Sequence, residues 1–239
     1  MLFDQADYDL RCEWGLQGLL RLAPVADAVI VMDILSFSTS VDIVVAKGAT
    51  VLPWQWNDDS AARYAEEKQA RLACSRRSPD SFSLSPASLL TISPDAALVL
   101  PSPNGSELCL SAHNIPTFTA CLRNAPAVAA HVARIARRIA VVPAGERWSD
   151  GSLRPCLEDW IGAGAVLSLL SGERSPEADL AVAAFERFRG DLTGALSGCG
   201  SGRELIERGF FSDVGLAAEY AVSSAVPMLA GDRFVNRAS

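Results

Sequence analysis

Hydrophobic positions along this chain switch repeatedly between two periods, and that switching predicts an α/β fold. Short β-branched runs alternate with stretches whose apolar residues recur every three to four positions. The run AVIVM at 28–32 is the clearest strand, apolar at every position as a strand buried on both faces must be. It leads through Asp33 and a hydroxyl-rich stretch into an amphipathic helix, which should stop near Lys47-Gly48. Further strands are predicted at 49–53, 96–100, 117–120 and 139–142. Helices are predicted at 60–73 (Ser60 as cap), 106–113, 126–137 and 158–170, the last one apolar nearly all round. Beyond it the pattern is mainly helical, at 177–189, 202–208 and 214–220, with a closing strand at 225–229.

Strands alternating with helices imply βαβ crossovers, hence a mostly parallel sheet with helices on both faces. Residues 75–95 are rich in Ser and Pro without a period, and read as a long loop of the kind that is often functional. The chain reads as one unit over 1–239, with a candidate break between two α/β subdomains near 150.

Composition mostly narrows the range of partners. The 239 residues are 49% hydrophobic and 21% charged, the balance of a globular protein. Net charge is −7, and basic residues gather only in short clusters such as Arg76-Arg77 and Arg134 to Arg138. A nucleic-acid partner is therefore not expected, since it demands a concentrated positive surface. A small anion needs only a few backbone N–H groups and a metal, which an acidic protein can provide. No apolar run reaches the length of a membrane span, so no membrane role is expected. Six scattered cysteines without a CxxC pair, and no signal peptide, read as free thiols of a cytoplasmic protein. The two histidines lack a companion, which discounts a His-based zinc site or a Ser-His-Asp triad.

Ligands of open α/β sheets bind beyond the carboxyl ends of the strands. Four loops leave such ends here: Asp33-Ile34-Leu35-Ser36-Phe37-Ser38-Thr39-Ser40, Pro103-Asn104-Gly105-Ser106, Cys121-Leu122-Arg123-Asn124 and Ala144-Gly145-Glu146. Hydroxyls before a helix suggest an anion site at its free N–H groups, although capping alone also explains Ser38, Thr39 and Ser40. Asn104-Gly105 is equally an everyday turn, and Arg123 equally a surface cation. Asp33 is harder to dismiss, because a carboxylate ending a buried apolar strand is costly unless paired or metal-bound. Glu158 and Asp159 open the apolar helix, where the helix dipole favours acids but the surroundings should be protein. Together with Asp33 they would form an all-oxygen cluster suited to Mg²⁺.

The motifs VIVMDILSFSTSVDIVVAKGA, PSPNGSEL, CLRNAPAVA, VVPAGE with LEDWIGAGAV, and FFSDVGLAAEYAVSSAVP occur in an order that resembles the 2-phosphosulfolactate phosphatases along nearly the whole chain. That resemblance implies the family's own α/β fold, Mg²⁺ dependence, and removal of phosphate from 2-phosphosulfolactate on the route to coenzyme M. Asp33, Ser38, Thr39, Asn104, Gly105, Asn124, Gly145, Glu158, Asp159, Gly164 and Asp213 fall on positions matching the family pattern. Ser36 stands where the family typically has Arg. The stretch ACSRRSPDSFSLSPASL keeps Phe82 and Leu84 but has Ser83 in place of Asp, and its Gly-Asn-Ser-Pro element is missing. An Arg supplies a bidentate donor that Ser36 does not replace, unless Arg76 or Arg77 reaches in from the loop.

Two functions follow. The first is a Mg²⁺-dependent phosphatase of a small anionic phosphate ester such as 2-phosphosulfolactate. In it Asp33, Glu158 and Asp159 are catalytic and hold the metal, directly or through water. Ser38, Thr39, Ser40, Asn104, Gly105, Ser106, Arg123, Asn124 and Glu146 would bind the substrate. The alternative is a divergent relative that binds a small organic acid without turnover. The resemblance also makes a homodimer plausible.

Overall fold

The computed structural model describes residues 3–55, 58–74 and 81–238. Its strands are β1 (Leu10–Cys12), β2 (Ala28–Met32), β3 (Thr50–Trp54), β4 (Arg71–Leu72), β5 (Ala97–Pro101), β6 (Thr117–Ala120), β7 (Ile139–Pro143), β8 (Glu146–Arg147), β9 (Leu153–Arg154), β10 (Pro227–Ala230) and β11 (Arg233–Asn236). The helices are α1 (Gly15–Leu22), α2 (Phe37–Ala46), α3 (Asp59–Glu67), α4 (Gly105–Ser111), α5 (Ala125–Val132), α6 (Leu157–Leu167), α7 (Pro176–Phe188), α8 (Leu192–Gly198), α9 (Gly200–Glu207) and α10 (Phe211–Ala218).

Nine strands form one sheet in the order β1-β7-β2-β6-β10-β11-β3-β5-β4, while β8 and β9 make a separate hairpin. Strands from both sides of residue 150 share that sheet. Five of the pairings are parallel; the remaining three are antiparallel, one being the C-terminal hairpin β10-β11 and the other two joining it to β6 and β3. The mostly parallel α/β architecture expected from the alternation is therefore present. The hairpin inserts between two parallel blocks, a long-range pairing that no local period announces. Between β2 and β5 lie five strand-to-strand steps. At roughly 20–25° of twist per step, β5 is turned through more than a right angle relative to β2. The carboxyl ends of the two strands meet although the intervening ladders reverse direction.

The alternation on β2 assigns its side chains to two cores. Ile30 and Met32 pack with α5, α6 and α7, whereas Val29 and Val31 pack with α1, α2 and α4. Helix α6 is apolar because it is buried on most of its surface, and Gly164 lets α7 approach closely. A Cβ at Gly164 would stand 2.6 Å from the carbonyl carbon of Ala181.

Several boundaries differ from expectation for physical reasons. Helix α3 is capped by Asp58, whose carboxylate accepts the Ser60 N–H at 2.9 Å, so Ser60 lies inside the helix rather than at its cap. It ends at Glu67 because Arg71–Leu72 pair with the edge of β5. The segment after residue 80 is not featureless. A 3-10 turn spans Pro86–Leu89, and buried Asp213 accepts from Ser85 Oγ at 2.6 Å and from Ala87 N–H at 3.1 Å. Arg76 and Arg77 lie outside the described residues. All six cysteines are free thiols. Among the described residues no helix is long and apolar enough to cross a membrane.

Candidate active site

The site is built around the carboxyl end of β2. Asp33 follows that strand directly and is buried. Its Oδ2 accepts the Gly105 N–H at 2.9 Å and the Ser102 hydroxyl at 3.5 Å, while Oδ1 accepts the Phe37 N–H at 3.4 Å. Gly105 and Phe37 are the first residues of α4 and α2. One carboxylate thus occupies the starts of both helices, where the dipoles favour negative charge. Gly105 is required by this closeness, since a Cβ there would lie 2.7 Å from Asp33 Oδ2 and against the Phe37 ring.

Asp159 stands on the first turn of α6 and also bridges two loops. Its Oδ1 accepts the Ile34 N–H at 2.8 Å and its Oδ2 the Gly145 N–H at 2.8 Å. Gly145 adopts φ +68°, a left-handed conformation that turns the chain from β7 into β8. Glu158 beside it is also buried, and its Oε2 accepts from Cys199 Sγ at 3.2 Å. Glu146 on β8 is half-buried, accepting from Asn104 Nδ2 at 2.9 Å and from the Arg147 N–H at 2.9 Å.

These four carboxylates influence one another. Burial and then the charge of Glu146 push Asp33 up to about 7, against the pull of the Gly105 and Phe37 N–H groups. Asp159 is raised well above the carboxylate range, by burial first and then by Glu158 and Asp33. Burial, followed by the Glu158 charge, takes the Cys199 thiol up to about 12. Among the described residues no Lys or Arg forms an ion pair with Asp33, Glu146, Glu158 or Asp159. The donor set is all oxygen and electron-rich, which fits a hard divalent cation. Among the described residues no three His, Cys, Asp or Glu side chains converge into a ready-made cage. An ion here would take one or two carboxylates and complete its shell with water and substrate oxygens, as Mg²⁺ commonly does.

Several expected substrate ligands are buried and hydrogen-bonded within the protein. Ser38, Thr39, Ser40, Ser106 and Asn124 have no exposed surface. Ser38 Oγ accepts the Asp33 N–H at 2.8 Å and shares a 2.6 Å hydrogen bond with Thr119. Thr39 donates to the Ile34 carbonyl at 2.8 Å, Ser40 to Leu84 at 3.0 Å and Ser106 to Leu100 at 3.1 Å. The reason is one of register. Helix α2 starts at Phe37 and α4 at Gly105, so these hydroxyls sit within the first turns and brace the loops. The anion at the helix starts is Asp33 itself.

Asn124 closes its own turn, accepting the Cys121 N–H at 2.8 Å and donating to Ala225 at 3.3 Å. Arg123 is not a lone surface cation. It pairs with fully buried Asp42 at 2.9 Å and with Glu219, tying α2 to the segment after α10.

Asn104 and Glu146 do face open space. Both line a cavity of about 270 Å³ with Trp14, Glu107 and Arg147. Glu146 also lines a second cavity, of about 240 Å³, with Ser36, Ser83, Arg154, Ser201 and Arg208. The arginines of both cavities escaped the sequence reading, because they lie on short hairpin strands or late helices with no motif around them.

A family model described as 2-phosphosulpholactate phosphatase matches residues 18–232. The chain is 27% identical over 216 residues to a protein of Pseudothermotoga lettingae described as "Probable 2-phosphosulfolactate phosphatase", covering 87% of this chain and 92% of that one.

Proposed function

The chain belongs to the 2-phosphosulfolactate phosphatase family, and from that premise we propose that it hydrolyses a small anionic phosphate monoester such as 2-phosphosulfolactate with the help of Mg²⁺. The observation carrying this reading is that Asp33 and Glu146, beyond the ends of β2 and β7, lie near Glu158 and Asp159 at the start of α6 without a paired cation among the described residues, with Asp33 and Asp159 held above the carboxylate range. Such a site repels a phosphate dianion unless a divalent cation offsets it. Asp33 is the group to which an ion would bind first, with Glu158 and Asp159 acting directly or through water. When bound, Mg²⁺ supplies charge neutralisation for the phosphoryl group and lowers the pKa of coordinated water.

The chain's own groups orient the reaction. Gly105, Phe37 and Ser102 fix the Asp33 carboxylate, and Asp159 locks the Ile34 and Gly145 backbone beside it. Asn104 and Glu146 form the wall that a substrate meets.

The test is phosphate release from a panel of phospho-hydroxy acids with and without Mg²⁺, with Asp33→Asn alongside. Turnover that needs Mg²⁺ and vanishes in the variant is the expected result. Turnover untouched by Asp33→Asn would remove that residue from the mechanism. A second reading, binding of a small organic acid without turnover, draws on the lack of three converging metal ligands among the described residues. It gains if no panel member is hydrolysed.

A further inference from the structure

We propose that Glu146 is the proton carrier of the reaction: its Oε2 delivers a proton to the leaving oxygen of the phosphate ester, and Asn104 holds the carboxyl group for that step. This rests on the phosphatase reading above and adds to it a catalytic residue outside the metal-binding acids.

Of the four acids gathered here, Glu146 alone meets open space. Asp33 is 7% exposed and Glu158 and Asp159 are 3% each, while Glu146 is half-buried and borders both cavities. Asp33 and Asp159 have each oxygen engaged by a backbone N–H. Glu146 is divided instead. Its Oε1 accepts from Asn104 Nδ2 and from the Arg147 N–H, both at 2.9 Å, and its Oε2 makes no hydrogen bond or ion pair among the described residues. One oxygen fixes the carboxyl group, and the other is left to exchange a proton with what enters the cavities. The other ionisable groups of the two cavities are arginines, which do not release a proton, and Glu107 and Glu204, each paired with one of them.

The link to Asp33 is short. Asn104 and Gly105 are consecutive, the first donating from its side chain to Glu146 and the second from its backbone to Asp33 Oδ2. The two carboxylates therefore flank one turn, Asp33 on its buried side and Glu146 on its open side. After burial, the charge of Glu146 is the strongest influence on Asp33. A phosphate ester drawn towards the inner acids arrives from the cavity side, past Glu146.

Phosphate monoesters react through a loose transition state, in which negative charge gathers on the leaving oxygen. An alkoxide leaves poorly, so a proton supplied there lowers the barrier. Oε2 gives its proton to the leaving oxygen as that P–O bond breaks and the oxygen of water bonds to phosphorus. The alcohol departs. The attacking water then returns a proton to the Glu146 carboxylate, leaving hydrogen phosphate, so the cycle consumes one water and no other reactant.

Steady-state kinetics on two leaving groups test this. The phospho-hydroxy acid that wild type turns over fastest must expel an alkoxide, whereas acetyl phosphate expels acetate, which is stable without a proton. Wild type, Glu146→Gln and Asn104→Ala are compared in saturating Mg²⁺, and thermal melts establish that each is folded. Glu146→Gln should lower kcat on the phospho-hydroxy acid by about 100- to 1000-fold, and on acetyl phosphate by less than about 10-fold. Asn104→Ala leaves the carboxyl group in place but unheld. It should show the same bias at smaller size, and it carries the test if Glu146→Gln does not fold. Calorimetric Mg²⁺ affinity should fall by less than about 10-fold in Glu146→Gln, the effect of a neighbouring charge rather than of a lost ligand. Equal losses on the two compounds, no loss on the phospho-hydroxy acid, or a larger loss of Mg²⁺ affinity overturns the assignment and leaves the phosphatase reading intact. If wild type hydrolyses neither compound, the phosphatase reading falls and the assignment falls with it.

Discussion

Replacing Asp33 by Asn should make the metal-free protein more stable at high pH while removing its activity. The carboxyl is held at about 7 in the fold, against an ordinary 3.8 when the chain unfolds. That gap corresponds to about 4 kcal/mol at about 1.4 kcal/mol per pH unit. Because the folded pKa lies above the unfolded one, the folded state binds the extra proton between these values. Stability is therefore lost as pH rises from about 4 towards 7, and the full cost is present above 7. An Asn retains an oxygen to accept the Gly105 N–H but never carries the charge.

Urea unfolding in a chelating buffer, at about pH 4 and about pH 8, should show the variant gaining on wild type by up to about 4 kcal/mol across that interval. Asp42, raised by burial, titrates in both proteins and cancels, whereas Asp159, which the Asp33 charge helps to raise, is shifted less in the variant and adds to the same gain. Added Mg²⁺ should restore wild type at the higher pH and leave the variant unchanged, since only a state that binds the ion is stabilised. A stability difference that stays flat with pH would refute the burial of an ionised Asp33.

Three further substitutions probe the frame around the site. Gly105→Ala forces a Cβ to within 2.7 Å of Asp33 Oδ2, and should destabilise by about 1–3 kcal/mol in thermal unfolding, with activity lost; an unchanged melt would contradict the contact. Arg123→Gln leaves fully buried Asp42 with only the Ser223 hydroxyl at 2.6 Å, so a loss of about 3 kcal/mol is expected in urea unfolding, shrinking as acid protonates Asp42. Ser85→Ala removes the hydroxyl that Asp213 accepts at 2.6 Å, costs about 1–2 kcal/mol, and should speed protease cleavage within residues 81–89. Cleavage at the wild-type rate would show that Asp213 does not hold this segment.

The parts of the site legible beforehand were those whose chemistry conflicts with their local setting. Asp33 ends an entirely apolar strand, and Glu158 and Asp159 open an apolar helix; burying acids in such places needs a reason that sequence alone can announce. The surroundings of the hydroxyls were not legible because a Ser just ahead of a helix and a Ser in its first turn look alike in sequence. Only the observed starts at Phe37 and Gly105 put Ser38, Thr39, Ser40 and Ser106 inside. The ion pair of Arg123 was hidden for a different reason, because its partner Asp42 lies 81 residues away.

Local chemistry alone thus determined the α/β class, most of the elements and the leading role of Asp33, since hydrophobic period and the cost of buried charge act over a few residues. Tertiary structure decided everything that depends on distant chain segments meeting. It inserted the C-terminal hairpin between two parallel blocks, brought Gly105 onto Asp33, and set the acids that open α6 near those that follow β2 and β7. It also set Arg154, without a carboxylate partner among the described residues, in a cavity with Ser36. No local signal encodes those meetings, because they follow from sheet twist and packing summed over the whole chain.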